Sequence, residues 1–359
     1  MSEMGENKLD YSKAGVDVER EERGIGGLLY WINKTIGEGA LPIGYFANVI
    51  RIGDLGIAVT IDGVGTKLLV AQMLGKYDTV GIDCVAMNVN DVLCVGARAV
   101  CMVDYIALEE PREELLEEIG KGLYEGARMA SIQIIGGETA QLKEMLRGMR
   151  KGYAFDLAGA CIGIVNPDRV ILGQDIEEGD VVVGLESRGI HSNGLTLARK
   201  VLLKDHLSIY RYFPDLGRTI GEELLEPTRI YAREVYEIIE KVKVKALVHI
   251  TGGGWLNLLR VQKPIEIEVE NLPPIPPIFR IIQEEGRIED EEMFRVFNMG
   301  IGFALITSEQ EVEKVKEICK GFNLGAYELG KVKIAKDGES KVRIPKRGLV
   351  GRGTRFERE

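Results

Sequence analysis

Ile57-Ala-Val-Thr-Ile61, followed directly by Asp62-Gly-Val-Gly-Thr-Lys67, is the stretch on which the reading of this chain turns. The apolar run predicts a strand, and its end delivers a carboxylate, two glycines, a hydroxyl and an ammonium to one turn. Such a set suits a metal-bound phosphate. Glycine lets backbone N–H groups approach phosphate oxygens, lysine supplies a point charge, and aspartate can hold a divalent cation on the same oxygens. A plain glycine turn with a solvated lysine fits the hexapeptide equally well when it is taken alone. It is not a Walker A loop, because the residues required between the first glycine and a Gly-Lys pair are missing. A nucleotide site here therefore belongs to another architecture.

Two further clusters share this character. Gly81-Ile-Asp83 leads into Cys84-Val-Ala-Met-Asn88-Val-Asn90-Asp91, where polar groups interrupt an apolar stretch. At helical spacing Met87, Asn88 and Asp91 share a face with Asp83 or Cys84. Burying these acids and amides without partners would be costly, and a metal or a metal-bound phosphate would supply a partner; a helix with local caps is the alternative. Ile134-Ile-Gly136-Gly137-Glu138-Thr139-Ala140 reads as a third strand followed by a glycine turn, an acid and a hydroxyl.

The 359 residues, 45% hydrophobic and 28% charged, suffice for two ordinary domains. No apolar run reaches membrane-spanning length, and the polar, acidic start has no secretory pattern, so a cytoplasmic protein without membrane contact is expected. A net charge of −10 argues against nucleic acid, while an anionic substrate remains compatible with a locally basic cleft. The five cysteines lack metal or redox spacing and read as buried thiols. Zinc is set aside, because His191, His206 and His249 are isolated in sequence.

Both halves mix α and β, an α/β (α+β) chain. Strands are predicted near Ala58 and over 99–105, 132–135 and 157–165, with helices through Ala71 and over 112–130. In the latter, Leu115, Ile119, Leu123 and Ala127 mark one face. Asn166-Pro167-Asp168 is a break, which places an N-terminal domain at 1–167 and a C-terminal domain at 168–359. The second half predicts strands over 181–185, 246–250 and 265–269, helices from Leu195 and over 230–242, and a stiff proline connector at 273–277.

The clusters occur in order with Tyr11-Ser-Lys-Ala-Gly-Val-Asp17, Ser187-Arg-Gly-Ile-His191-Ser-Asn-Gly194, Leu225-Glu-Pro-Thr-Arg229-Ile-Tyr231, His249-Ile-Thr-Gly-Gly-Gly254 and Phe297-Asn-Met-Gly-Ile-Gly302. This series, spanning about 11–333, resembles the phosphoribosylformylglycinamidine cyclo-ligase family, also called aminoimidazole ribonucleotide synthetases. The resemblance implies two mixed α/β domains: the first binds ATP and Mg²⁺ and forms a homodimer interface with its strands, and the second closes the substrate cleft. It implies ATP-dependent closure of formylglycinamidine ribonucleotide to aminoimidazole ribonucleotide, a purine-biosynthetic ligation through phosphorylation of the formyl oxygen.

By the same resemblance, Lys67, His191 and Asp83 are the expected catalytic residues, with Lys67 on the triphosphate. Asp62 and Asp91, and more weakly Asn90 and Glu138, are expected at Mg²⁺. Gly63, Gly65, Thr66 and Thr139 join the nucleotide site, and Ser192, Asn193, Thr251, Gly252, Gly253 and Asn298 the substrate site. His191 is assigned to substrate or phosphate contact or to proton transfer. The chain departs from the family pattern at Gln141-Leu-Lys-Glu-Met145 and ends in a basic stretch, 346–355, expected to be solvated. A formylglycinamidine ribonucleotide synthetase-like amidotransfer and a catalytically silent nucleotide-binding dimer are the alternatives.

Overall fold

The computed structural model describes residue 15 and residues 18–359; the string at 11–17 therefore lies, except for Gly15, outside the described residues. The first half runs α1 (Val18–Ile32), β1 (Asn48–Ile52), β2 (Leu55–Gly63), α2 (Lys67–Leu74), α3 (Val80–Leu93), β3 (Arg98–Leu108), α4 (Glu113–Ala130), β4 (Gln133–Gln141) and β5 (Phe155–Val165). Its five strands form one sheet in the order β1-β2-β5-β3-β4. Only β3 and β4 pair in parallel, as the α4 crossover between them requires.

Helix α3 explains the first half. All its residues except Ile82 and Asp91 are buried, so no polar stripe marks it as a surface helix. The sheet covers one side and α4 another. Gly81 and Gly122 allow that second contact: a Cβ on Gly81 would lie 2.2 Å from the Leu123 nitrogen, and one on Gly122 2.4 Å from the Asp78 carbonyl. The expected face of α4, Leu115, Ile119, Leu123 and Ala127, is buried.

The second half continues with β6 (Val181–Glu186), α5 (Leu195–Leu202), a small hairpin of β7 (Tyr212–Phe213) and β8 (Arg218–Thr219), α6 (Ile220–Leu224), α7 (Ala232–Lys241), β9 (Val244–His249) and β10 (Ile265–Val269). It ends with α8 (Pro277–Gly286), α9 (Asp290–Val296), β11 (Ile301–Thr307), α10 (Val312–Gly321), β12 (Ala326–Ile334), β13 (Lys341–Ile344), β14 (Leu349–Arg352) and β15 (Arg355–Arg358). Eight of these strands form a mixed sheet in the order β15-β14-β13-β10-β12-β6-β11-β9.

Two local expectations are corrected. Gly136-Gly-Glu-Thr139 is not a turn, because β4 runs through it in register with β3. The basic end is not a solvated tail: β14 and β15 extend the large sheet, and Leu349, Val350 and Phe356 are buried, with the Phe356 ring against Phe294. Four of the five cysteines are buried and all are free thiols. No helix among the described residues is long and apolar enough to cross a membrane.

Candidate active site

Strand β2 ends at Asp62-Gly63, and Asn88 on α3 fixes that end. The Asp62 N–H donates to Asn88 Oδ1 at 3.0 Å, and Asn88 Nδ2 donates to the Asp62 carbonyl at 3.1 Å and to the Cys84 carbonyl at 2.9 Å. One buried amide thus ties strand to helix. The Asp62 carboxylate accepts from the Gly63 N–H at 2.7 Å. Burial, and next the charge of Asp91, raise its pKa to about 6. Asp91 in turn meets His249 from the end of β9, Oδ1 to Nδ1 at 2.8 Å.

Eight residues earlier on α3, Asp83 faces a different set of groups. Its Oδ1 accepts from Lys67 Nζ at 2.8 Å, from the Thr228 N–H at 2.7 Å, from Thr228 Oγ1 at 2.6 Å and from Ser192 Oγ at 3.2 Å. Lys67 opens α2 and is fully buried; its ammonium also donates to the Glu226 carbonyl at 2.5 Å. Thr66 beside it meets Thr196 of α5 through their hydroxyls at 2.9 Å. A buried ion pair of the first half, Lys67–Asp83, thus meets hydroxyls and a carbonyl of the second half.

His191 follows β6 in the left-handed region, at φ +67°. Five non-glycine residues among those described have positive φ. Ser131, Arg287 and Asn323 follow helix ends, where this conformation is common, whereas His191 and Met299 sit in the two loops beside the junction. The His191 ring fits because residue 302 is glycine: a Cβ there would lie 2.2 Å from His191 Cε1. Its Nε2 accepts from the Arg188 N–H at 3.1 Å, which leaves the proton on Nδ1. Burial, then the nearby His249, Lys67 and Arg229, hold the imidazole well below its ordinary pKa, so the ring is neutral. Asn298 secures this loop: its Nδ2 donates to the Gly189 and Ile190 carbonyls, and its Oδ1 accepts from Ser187 Oγ and the Gly300 N–H.

Three buried polar atoms in this cluster, Asp83 Oδ2, His191 Nδ1 and Asn193 Nδ2, have no protein partner. Buried polar groups are ordinarily satisfied, so their grouping on either side of Ser192 marks where a polar ligand belongs. The loop of Thr251, Gly252 and Gly253 closes on the same place; a Cβ on Gly252 would lie 3.3 Å from Asn193 Oδ1.

The structure thus brings Asp62 together with Asp91, and Lys67, Asp83 and Ser192 with one another. Two expected residues lie elsewhere. Both amide atoms of Asn90 hold the 229–231 backbone, Nδ2 donating to the Arg229 carbonyl and Oδ1 accepting from the Tyr231 N–H, so it does not join Asp62. Glu138 is in register with Tyr105, three strands from β2; alternation turns it to the opposite face from Asp62, roughly 14 Å across the sheet. Its neighbour Thr139 is exposed. Asn88, grouped with the acids of α3 by helical spacing, serves here to tie β2 to α3; Thr228 and His249, legible only within their motifs, also join the site. Among the described residues, no three His, Cys, Asp or Glu side chains converge as a metal set.

Residues 44–165 match the model of the AIR synthase related protein N-terminal domain, and residues 177–343 that of its C-terminal domain. Among solved structures the fold is similar to AaThiL complexed with AMPPCP and TMP, with a TM-score of 0.63 at 18% identity over 92% of this chain and 96% of that one. The molecule is thus of the two-domain AIR synthase related class. A phosphoribosylformylglycinamidine cyclo-ligase from Thermococcus kodakarensis is 47% identical over 348 residues, 95% of this chain and 99% of that protein. One from Methanococcus vannielii is 45% identical over 339 residues, 93% and 95% respectively. The chain belongs to the phosphoribosylformylglycinamidine cyclo-ligase family.

Proposed function

We propose that the protein closes formylglycinamidine ribonucleotide to 5-aminoimidazole ribonucleotide, converting ATP to ADP and phosphate. The observation that carries this reading is identity of 45–47% with cyclo-ligases along nearly the whole of both chains. In the reaction the formyl oxygen takes the γ-phosphoryl group and ADP leaves. A substrate nitrogen then attacks the same carbon, loses a proton, and expels phosphate carrying the former formyl oxygen. Charge gathers on the transferring group, so positioning and electrostatics are the protein's main task.

Asp62 and Asp91 are the residues that would hold Mg²⁺. Burial, and next the charge of Asp91, raise the proton affinity of Asp62, and a divalent cation would offset the negative charge the two carboxylates share. When bound, the cation would offset charge on the triphosphate. Asn88 keeps Asp62 in place. Gly65, at φ +70° with open space where a Cβ would stand, leaves room for phosphate after β2, while the Gly63 N–H stays on Asp62; Lys67, with two of its three donors used, keeps one for the transferring group. His191 acts as a neutral Nδ1–H donor to an anionic oxygen rather than as a base, because Nε2 is already occupied. Ser192, Asn193 and the 251–253 loop receive the substrate, while Asn298 positions His191.

The reading extends to a cytoplasmic homodimer. The outer face of the first sheet carries Ile50, Val59, Ile61, Val103 and Ile164, each 36–76% exposed. A continuous apolar face of this kind favours burial against a second copy. Glu138 stands at its rim, so any part it takes in nucleotide binding depends on the dimer.

The test is turnover by the purified protein with Mg-ATP and formylglycinamidine ribonucleotide, without an ammonia source. Equal formation of ADP and aminoimidazole ribonucleotide is expected. Turnover only of formylglycinamide ribonucleotide with ammonia would replace this reading by amidotransfer.

A further inference from the structure

A cavity of about 410 Å³ opens between the end of α4 and the 227–234 stretch that leads into α7. Arg128, Arg188, Arg229 and Arg233 line it, against one acidic residue, Glu234. None of the four belongs to the acid and hydroxyl clusters described above. In a chain of net charge −10, such a concentration of cations is a local exception.

The protein itself satisfies these arginines only in part. Arg229 meets Glu234, Nη2 to Oε1 at 3.0 Å, while its Nε is buried without a partner. Arg188 uses Nε on Glu226 at 3.1 Å. Arg128 is held by Glu125 within its own helix. Arg233 makes one long hydrogen bond, 3.4 Å to the Arg128 carbonyl. Each guanidinium has five donors, and like charges lining one cavity repel until they share an anion. Forked donors converging from several directions match the oxygens of a phosphate group. The volume also admits an organic portion, for which Phe322 offers an apolar wall.

We infer that this cavity is a binding site for a phosphate-bearing small molecule, held between the two domains. The site is coupled to the junction. Thr228, next to Arg229, donates twice to Asp83, and Asn90 holds the Arg229 carbonyl and the Tyr231 N–H. An anion that draws Arg188 and Arg229 toward Arg128 and Arg233 tightens the stretch that carries Thr228 to Asp83. Binding therefore stabilises the closed arrangement of the domains.

The test is calorimetric titration of ribose 5-phosphate into the intact protein with the nucleotide site filled by Mg-ADP, at low and high salt. Arg128→Ala/Arg233→Ala is the comparison variant; both side chains are exposed, and an unchanged melting temperature and ADP affinity verify its fold. Salt-sensitive binding is expected, weakened roughly tenfold or more in the variant. Equal affinity in the two proteins, or no binding by the unmodified protein up to ~20 mM, overturns the inference. Where binding is lost in the variant, displacement by formylglycinamidine ribonucleotide identifies the anion as the substrate's own phosphate, and simultaneous binding identifies a separate effector; either result supports the site.

Discussion

Asp83→Asn tests one buried charge at the junction of the two domains. The substitution keeps the side chain's shape and removes its charge, leaving Lys67 as an unpaired cation where both side chains are 0% exposed. Breaking a buried ion pair by removing one partner costs about 3–5 kcal/mol. The donors on Thr228 and Ser192 still find an amide oxygen but lose charge assistance, a further ~1 kcal/mol. A loss of about 4–6 kcal/mol is a large share of ordinary domain stability and lowers the melting temperature by roughly 10–20 °C. Lys67→Met is expected to fall similarly. The double variant Lys67→Met/Asp83→Asn should melt no lower than either single one, because no charge remains unpaired. Calorimetric melting with steady-state turnover is the assay. Recovered stability without recovered turnover in the double variant would separate the structural role of the pair from the proposed role of Lys67 at phosphate. The reasoning is refuted if Asp83→Asn melts within about 2 °C of the unmodified protein, or if the two losses simply add.

Asp91→Asn is expected to lower turnover by roughly two orders of magnitude or more at any Mg²⁺ concentration while the fold persists, as metal titrations of activity and circular dichroism would show; full activity removes Asp91 from the cation. The buried neutral His191 sets a pH dependence. Its folded pKa is depressed while the unfolded chain protonates near 6.5, so the unfolded state binds more protons and stability falls as pH drops below that value, by about 1.4 kcal/mol per unit. His191→Gln should lack this component between about pH 6.5 and 5, and parallel urea-denaturation profiles for the two proteins would contradict the assignment. Ile61→Asp places a charge on the most exposed of the named apolar residues of the outer sheet face and is expected to shift sedimentation from dimer to monomer; an unchanged dimer would locate the interface elsewhere.

Local pattern made much of this architecture legible. The 57–61 run before Asp62 gave β2, and the 112–130 periodicity gave α4 within a residue at its start. Helical spacing grouped the acids and amides of α3, but it could not say what each would face. Asp83 turns to Lys67 and Thr228, Asp91 to His249, and Asn90 to the 229–231 backbone, partners up to 158 residues distant in sequence. Apart from Lys67, which lies 16 residues before Asp83 in the first domain, these partners come from how the second domain docks on α3, which no short-range signal encodes. Sheet order is equally silent: Glu138 resembled another strand-end acid until the β1-β2-β5-β3-β4 arrangement separated it from Asp62. The end of the chain misled because its basic residues outweighed Leu349, Val350 and Phe356, whose burial depends on the edge of the large sheet.

The most direct test of the proposed reaction follows the oxygen. Formylglycinamidine ribonucleotide labelled with heavy oxygen on the formyl group, turned over with unlabelled ATP and water, should release phosphate carrying that label in step with ADP and aminoimidazole ribonucleotide. Product formed with unlabelled phosphate would contradict phosphorylation of the formyl oxygen, and with it the assignment of the Asp62, Asp91 and Lys67 site to that transfer.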